Sequence, residues 1–312
     1  GFVSTSKVYA VLDGDDEANF GYLDTDIVHR MDGSGDNPDR HRPSQFALGA
    51  FSETTGYPAV AEIHGGRLYV GNTSSEPRAI YASESGVFST TGAGWATTNR
   101  IGEVFDDHGF RLAIGGGNST PIQWIKSTTD GLAVGTSTTE GMIGPADPTD
   151  GFVPGNLVYK QHTTVGSKSI QPINIDQAVL FVSKTGRRIH ELKYDISTNG
   201  QNAPDLTSLA EHVTRTGIID FAYQREPLNT LWLVLSDGKL VGFTYDKEDN
   251  ITAWHQHNLG GVVLGVARLE SSVISYETSP TGGKGVLVKS VAVIPSPDGL
   301  SDDVWLCVAS DA

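Results

Sequence analysis

Apolar residues in this chain come in short runs of four to six, alternating with polar ones or continuous. Each run is followed by a polar turn and a second such run that ends near Gly or Ser. The unit occurs at 59–72 (AVAEIHGGRLYVGN) and 122–136 (IQWIKSTTDGLAVGT). It returns at 170–187 (IQPINIDQAVLFVSKTGR), 218–242 (IIDFAYQREPLNTLWLVLSDGKLVG) and 290–308 (SVAVIPSPDGLSDDVWLCV). Runs such as Leu68, Tyr69, Val70 and Leu231 to Leu235 have the period and length of half-buried or fully buried strands, so each unit predicts an antiparallel hairpin.

Taking Leu68, Leu132, Leu180, Leu233 and Leu306 as equivalent points, the hairpins recur at spacings of 64, 48, 53 and 73 residues. A repeat of that size cannot bury its apolar faces alone, and radial arrangement leaves few open edges. The fold class expected is therefore all-β, a β-propeller with insertions and very little helix. A pair of sandwiches shares the turn signals but leaves the recurring order of Gly and aromatic residues unexplained. One helix is expected, Asp205 to Val213 (DLTSLAEHV), with Asp205 as cap and Ser208 with Glu211 as an alternative capping box.

Composition agrees: 37 Gly and 14 Pro suit many short strands and tight turns. A net charge of -15 argues against a protein that grips phosphate backbones, which takes clustered Lys and Arg. On charge alone the first reading is that acidity keeps a large domain soluble; a surface past which DNA must slide without sticking, such as a conduit wall, would carry the same sign. The single Cys307, in the run Val304 to Val308, permits no intrachain disulfide and reads as a small buried hydrophobe. No apolar stretch has the length to span a bilayer, so no membrane partner is expected. The amino end has no basic region followed by a hydrophobic one, and the chain reads as soluble and as a segment of a longer protein. Residues 1–40 carry nine acidic and three basic side chains, and residues 1 to about 50 read as an acidic element or projecting insertion before a propeller at 51–312.

Candidate chemistry is sparse. Asp13, Asp15, Asp16 and Glu17, and Asp32, Ser34, Asp36 and Asp39, place oxygens at the alternation calcium favours. Position twelve from Asp32 is Pro43, however, where an EF-hand needs Glu, so solvated turns are the reading. His255 and His257 (WHQHN) would share one face of a strand, a geometry able to hold a metal. No third ligand at suitable spacing supports them, and hydrogen-bonded structure is expected. Asp106, Asp107 and His108 form the best acidic cluster for hydrolysis, without a partner pattern. STTDGLAVG and LSDGKLVG are similar to the Asp-boxes of sialidases but lack the Trp after the Gly. GGGN at 115–118 lacks the Lys and helix of a phosphate loop. No enzyme activity and no cofactor are expected.

The segment 222–261 (AYQREPLNTLWLVLSDGKLVGFTYDKEDNITAWHQHNLGG), followed by SVAVIPSPDGLSDDVWLCV, resembles the tail nozzle proteins of short-tailed bacteriophages, also called tail tubular protein B or stabilization proteins. GYPAVAEIHGGRLYVGNTSSEPRAIYASESGVF at 56–88, IQWIKSTTDGLAVGTSTTEGMI, QPINIDQAVLFVSKTGRRIHEL and APDLTSLAEHV follow the family's order. The resemblance covers about residues 50 to 308 and weakens before them. It implies a structural virion protein of the tail, made in the host cytoplasm. It also implies a hexameric ring of copies, an adaptor protein and tail fibres as partners, and DNA passing through the lumen without specific binding. It carries over no catalytic residue.

Arg67, Tyr223, Gln224, Glu226, Trp232, Trp254 and His255 are large or polar groups beside strand cores and read as architecture, fixing blade packing through hydrogen bonds and aromatic burial. Trp232 and Trp254 are expected to be buried. The alternative function is a carbohydrate-binding propeller, a lectin or glycosidase reading a host receptor, which would gather exposed aromatics and acids at one rim.

Overall fold

A computed structural model describes residues 8–10, 46–48, 51, 53, 55–88, 104–115, 120–197, 200–247, 251–257, 259, 266–270, 273–275 and 286–310. The acidic element at 1–50 lies almost entirely outside the described residues, as do both acidic loops weighed for calcium. Only β1 (Val8–Ala10) and β2 (Phe46–Leu48) are described there, as an antiparallel pair.

All regular structure among the described residues is β. The five predicted hairpins fall in five separate four-stranded antiparallel sheets, none sharing a sheet with another. Two compact units make up the chain, residues 1–132 with 142–160, and residues 133–141 with 161–312.

The first unit contains the sheet β3 (Val60–His64), β4 (Arg67–Gly71), β5 (Ala79–Ala82) and β6 (Phe110–Ala113), in chain order. His64 pairs with Arg67 across Gly65 and Gly66, whose φ angles are +54° and +77°. Two successive positive φ values give the turn that matches strand twist, and only glycine takes both without strain. Strand β7 (Ile122–Thr128) lies against β3. There His64 Nδ1 is 2.9 Å from Ser127 Oγ, and the Ser127 N–H donates to Glu62 at 3.2 Å. β7 heads the second sheet, ordered β10-β9-β8-β7 with β8 (Gly131–Thr136), β9 (Glu140–Pro145) and β10 (Leu157–Thr163).

The second unit holds β11 (Ile173–Ile175), β12 (Ala178–Val182), β13 (Ile189–Asp195) and β14 (Gly200–Asn202) as one sheet. A further sheet is β15 (Ile218–Gln224), β16 (Thr230–Leu235), β17 (Leu240–Asp246) and β18 (Ile251–His257). β16 shows why its sequence is continuously apolar. Leu231, Leu233 and Leu235 enter one cluster with Leu180, Val182, Ile189 and Phe243. Trp232 and Val234 point the other way, into a cluster with Val288, Val291, Val304 and Leu306. A strand alternates its side chains between faces, so a strand buried on both must be apolar throughout. Each such side chain contributes about 1.5–3 kcal/mol on burial.

The last sheet departs from chain order. It runs β20-β19-β22-β21, with β19 (Val266–Glu270), β20 (Val273–Ser275), β21 (Val286–Pro295) and β22 (Asp302–Ser310). β21 lies against β15 and β16, so the hairpin that comes second in the chain takes the place next to the neighbouring sheet. A bulge between Val288 and Ser290 sits at this junction, where Asp220 accepts the Val291 N–H at 3.0 Å.

The helix expected at Asp205 to Val213 does not form. Asp205 Oδ1 accepts the N–H of Thr207 at 2.8 Å, a turn contact that spends the cap two residues on, and Asp205 bridges His190 as an extended residue. The segment continues as turns, Ala210 N–H to Thr207 O and Val213 N–H to Ala210 O. These turns bury Ala210 and Val213 and leave Leu209 97% exposed. Packing of those two residues outweighs the weak helix propensity of a segment rich in Asp, Thr and Ser. Cys307 also departs from its expected burial: it is exposed, because β22 turns Val304 and Leu306 to the core and Trp305 and Cys307 outward.

Candidate functional site: the cavity beside Trp232

On the β15–β18 sheet the pairing register stacks side chains in rows. Trp232 lies opposite Gly242 and Gly242 opposite His255, while Thr230 faces Thr244 in the adjacent row. His257 lies two residues beyond His255 on edge strand β18, on the same face. These four strands line a partly open cavity of about 130 Å³, bounded by Gln224, Thr230, Trp232, Thr244, His255 and His257 and by the turn at 227–228.

The cavity wall is internally bonded. Trp232 Nε1–H donates to Gln224 Oε1 at 2.9 Å, and Gln224 Nε2 donates to the Asp302 carbonyl at 2.8 Å. Asp302 Oδ2 accepts the N–H groups of Arg225 and Glu226 at 2.9 and 3.0 Å, tying the β15–β16 turn to β22. His255 Nδ1 and His257 Nε2 are 2.7 Å apart, and His255 Nε2 is 3.2 Å from Thr244 Oγ1. The Trp232 ring centroid is 4.8 Å from that of His257 and 6.1 Å from that of His255.

Burial holds both imidazoles below their ordinary value, and His255 lowers His257 further by charge. Both are therefore neutral at pH 7, and one ring donates while the other accepts across the 2.7 Å contact. The arrangement offers two adjacent imidazole nitrogens in a partly apolar setting. Among the described residues no group of three or more His, Cys, Asp or Glu is placed to hold a metal ion.

The residues singled out from sequence divide accordingly. Gln224, Trp232 and His255 meet at this cavity. Tyr223, on the opposite face, packs against the other cluster and donates to Asn229 Oδ1 at 2.9 Å. Trp254 is only partly buried, because β18 is an edge strand; it stacks on Phe243 at 4.4 Å, and its Nε1–H donates to the Leu206 carbonyl at 3.3 Å. Glu226 is exposed and is anchored through its backbone, not its carboxylate.

Arg67 stands apart from this site. It is 4% exposed, and its guanidinium donates to the carbonyls of Ser83 and His108 at 2.7 Å, of Asp107 at 3.3 Å and of Asp106. The Asp106–His108 cluster thus supplies backbone acceptors to Arg67, while both of its carboxylates face solvent.

Sequence reasoning missed two acids. Asp302 gave a weak signal, lying in a polar turn. Glu140 is fully buried, accepting from Thr163 at 2.7 Å and Ser167 at 2.8 Å, and burial pushes its carboxyl up. Its neighbours in sequence, TTEGMI, carry no mark of a buried carboxylate.

No family model and no curated protein matches the chain. Solved structures similar to it include a luciferin-regenerating enzyme, 12% identical with a TM-score of 0.39, covering 88% of this chain and 82% of that one. Another is a protein from Lactobacillus plantarum, 10% identical with a TM-score of 0.31, covering 99% of this chain and 96% of that one.

Proposed function

We propose that the chain is a structural subunit of a ring-shaped nozzle at the distal end of a short bacteriophage tail, its five sheets being blades of a β-propeller with insertions. One observation carries the reading: residues quoted for the resemblance serve as fasteners, between sheets at Gln224 and within one sheet at Arg67. Gln224 links Trp232 of β16 to Asp302 of β22, and Arg67 ties three backbone carbonyls of the 104–109 loop to that of Ser83. A protein that must stay rigid while genome passes through it needs such fasteners more than it needs reactive side chains. The acidic balance of the chain favours a lumen along which DNA moves without holding.

The test is location and mass. Antibody against the chain should mark the distal tail tip of purified virions by electron microscopy, and light scattering of isolated protein with its adaptor should give a ring. Particles that lack the chain would overturn the reading. So would tight, salt-sensitive binding of duplex DNA by the isolated protein.

A further inference from the structure

We infer that His255 and His257 form a chelating site for a divalent late transition-metal ion of the copper or nickel class, at the Trp232 cavity. Strand period places the rings on one face, and Nδ1 of His255 and Nε2 of His257 already converge to 2.7 Å. Metal–nitrogen bonds of about 2.0–2.1 Å set two ligands at right angles about 2.9 Å apart. A tetrahedral pair stands about 3.3 Å apart on the same bond lengths. The observed 2.7 Å is the hydrogen bond between the two rings and is shorter than either value, so binding opens the pair slightly; the higher imidazole affinity of Cu²⁺ and Ni²⁺ among divalent first-row ions favours that class.

The surroundings hold the rings for that task. The His255 ring lies directly over Gly242, the one residue type that leaves room for it. Thr244 Oγ1 sits 3.2 Å from His255 Nε2 and accepts a hydrogen bond from its N–H once Nδ1 turns to the metal. On binding, the proton shared between the rings leaves the Nδ1···Nε2 contact. His255 then carries its proton on Nε2 and His257 on Nδ1, so two neutral imidazoles bind without net proton release. Water completes the coordination from the cavity.

Trp232 is a built-in reporter, since Cu²⁺ and Ni²⁺ quench nearby indole emission and its ring touches both histidines. Titration of the full chain with Ni²⁺ should quench fluorescence saturably, with Cu²⁺ binding tighter, Zn²⁺ competing weakly and Mg²⁺ giving no response. Trp232→Phe should remove most of the quench while calorimetry still detects binding. His255→Gln and His257→Gln should each abolish saturation, and Thr244→Val should weaken binding about tenfold. The unmutated protein gives a test independent of any variant's folding. Substoichiometric Ni²⁺ should broaden the ring resonances of two of the nine histidines first. Unsaturable quenching, unchanged binding in both His variants, or broadening that starts at other histidines would overturn the site.

Discussion

Cε1 of His255 lies 1.9 Å from where a Cβ on Gly242 would stand, so the two residues occupy one space and only glycine on β17 permits the ring on β18. Gly242→Ala must push the imidazole out of its place between Thr244 and His257, and overpacking of this kind costs about 1–3 kcal/mol. His255→Ala in the same chain should recover most of that loss. Chemical denaturation of the two single variants and the double variant measures the coupling, and additive effects would show that the ring moves aside freely.

Trp232 spans two environments, its ring in the cluster with Val288 and Leu306 and its Nε1–H on Gln224. Trp232→Ala should destabilise the protein by about 3–5 kcal/mol through the cavity it leaves. Gln224→Ala should cost about 1–3 kcal/mol, because it strands the buried indole N–H and frees the Asp302 carbonyl. A shift below about 1 kcal/mol for Trp232→Ala, read from urea midpoints, would show that the ring is not part of the core.

Arg67 holds the 104–109 loop through carbonyls alone, so its planar fork matters more than its charge. Arg67→Lys keeps the charge yet cannot reach all four acceptors. Limited proteolysis should then cleave the loop several-fold faster than in the parent, with the cut mapped by mass spectrometry. Equal rates for the two proteins would remove Arg67 from the account of this loop.

Glu140 gives a pH signature. Burial raises its carboxyl against the downward pull of Thr163, Ser167, the Val165 N–H and the charge of His190. The folded state thus binds the proton more tightly than the unfolded one. Its contribution is fully present below the unfolded value near 4.5 and is lost as pH rises through the higher folded value. Glu140→Gln removes the ionisation, so the variant's stability relative to the parent should rise between pH 4 and pH 8. A difference in urea midpoint that stays constant over that range would contradict the assignment.

The alternation of apolar and polar residues determined the strands. The hairpins at β3–β4, β7–β8, β11–β12, β15–β16 and β21–β22 were legible because period two and turn residues are local properties of the backbone. Burial of Trp232 followed from the continuously apolar run around it, which only a strand covered on both faces requires. That His255 and His257 share a face was equally local.

Tertiary structure decided what depends on a partner distant in sequence. Residues 205–213 became turns because Asp205 bridges His190 and the cluster takes Ala210 and Val213, neither of which propensity can see. Cys307 faces outward because β21 and β15 set which side of β22 is core; a one-residue change of face inverts every side chain on a strand. The order of the last sheet, the burial of Glu140 and the tie from Gln224 of the cavity wall to Asp302 all join residues far apart in the chain. Local pattern fixes which residues can lie together on one strand face. Packing alone selects which strand, from tens of residues away, comes to cover it.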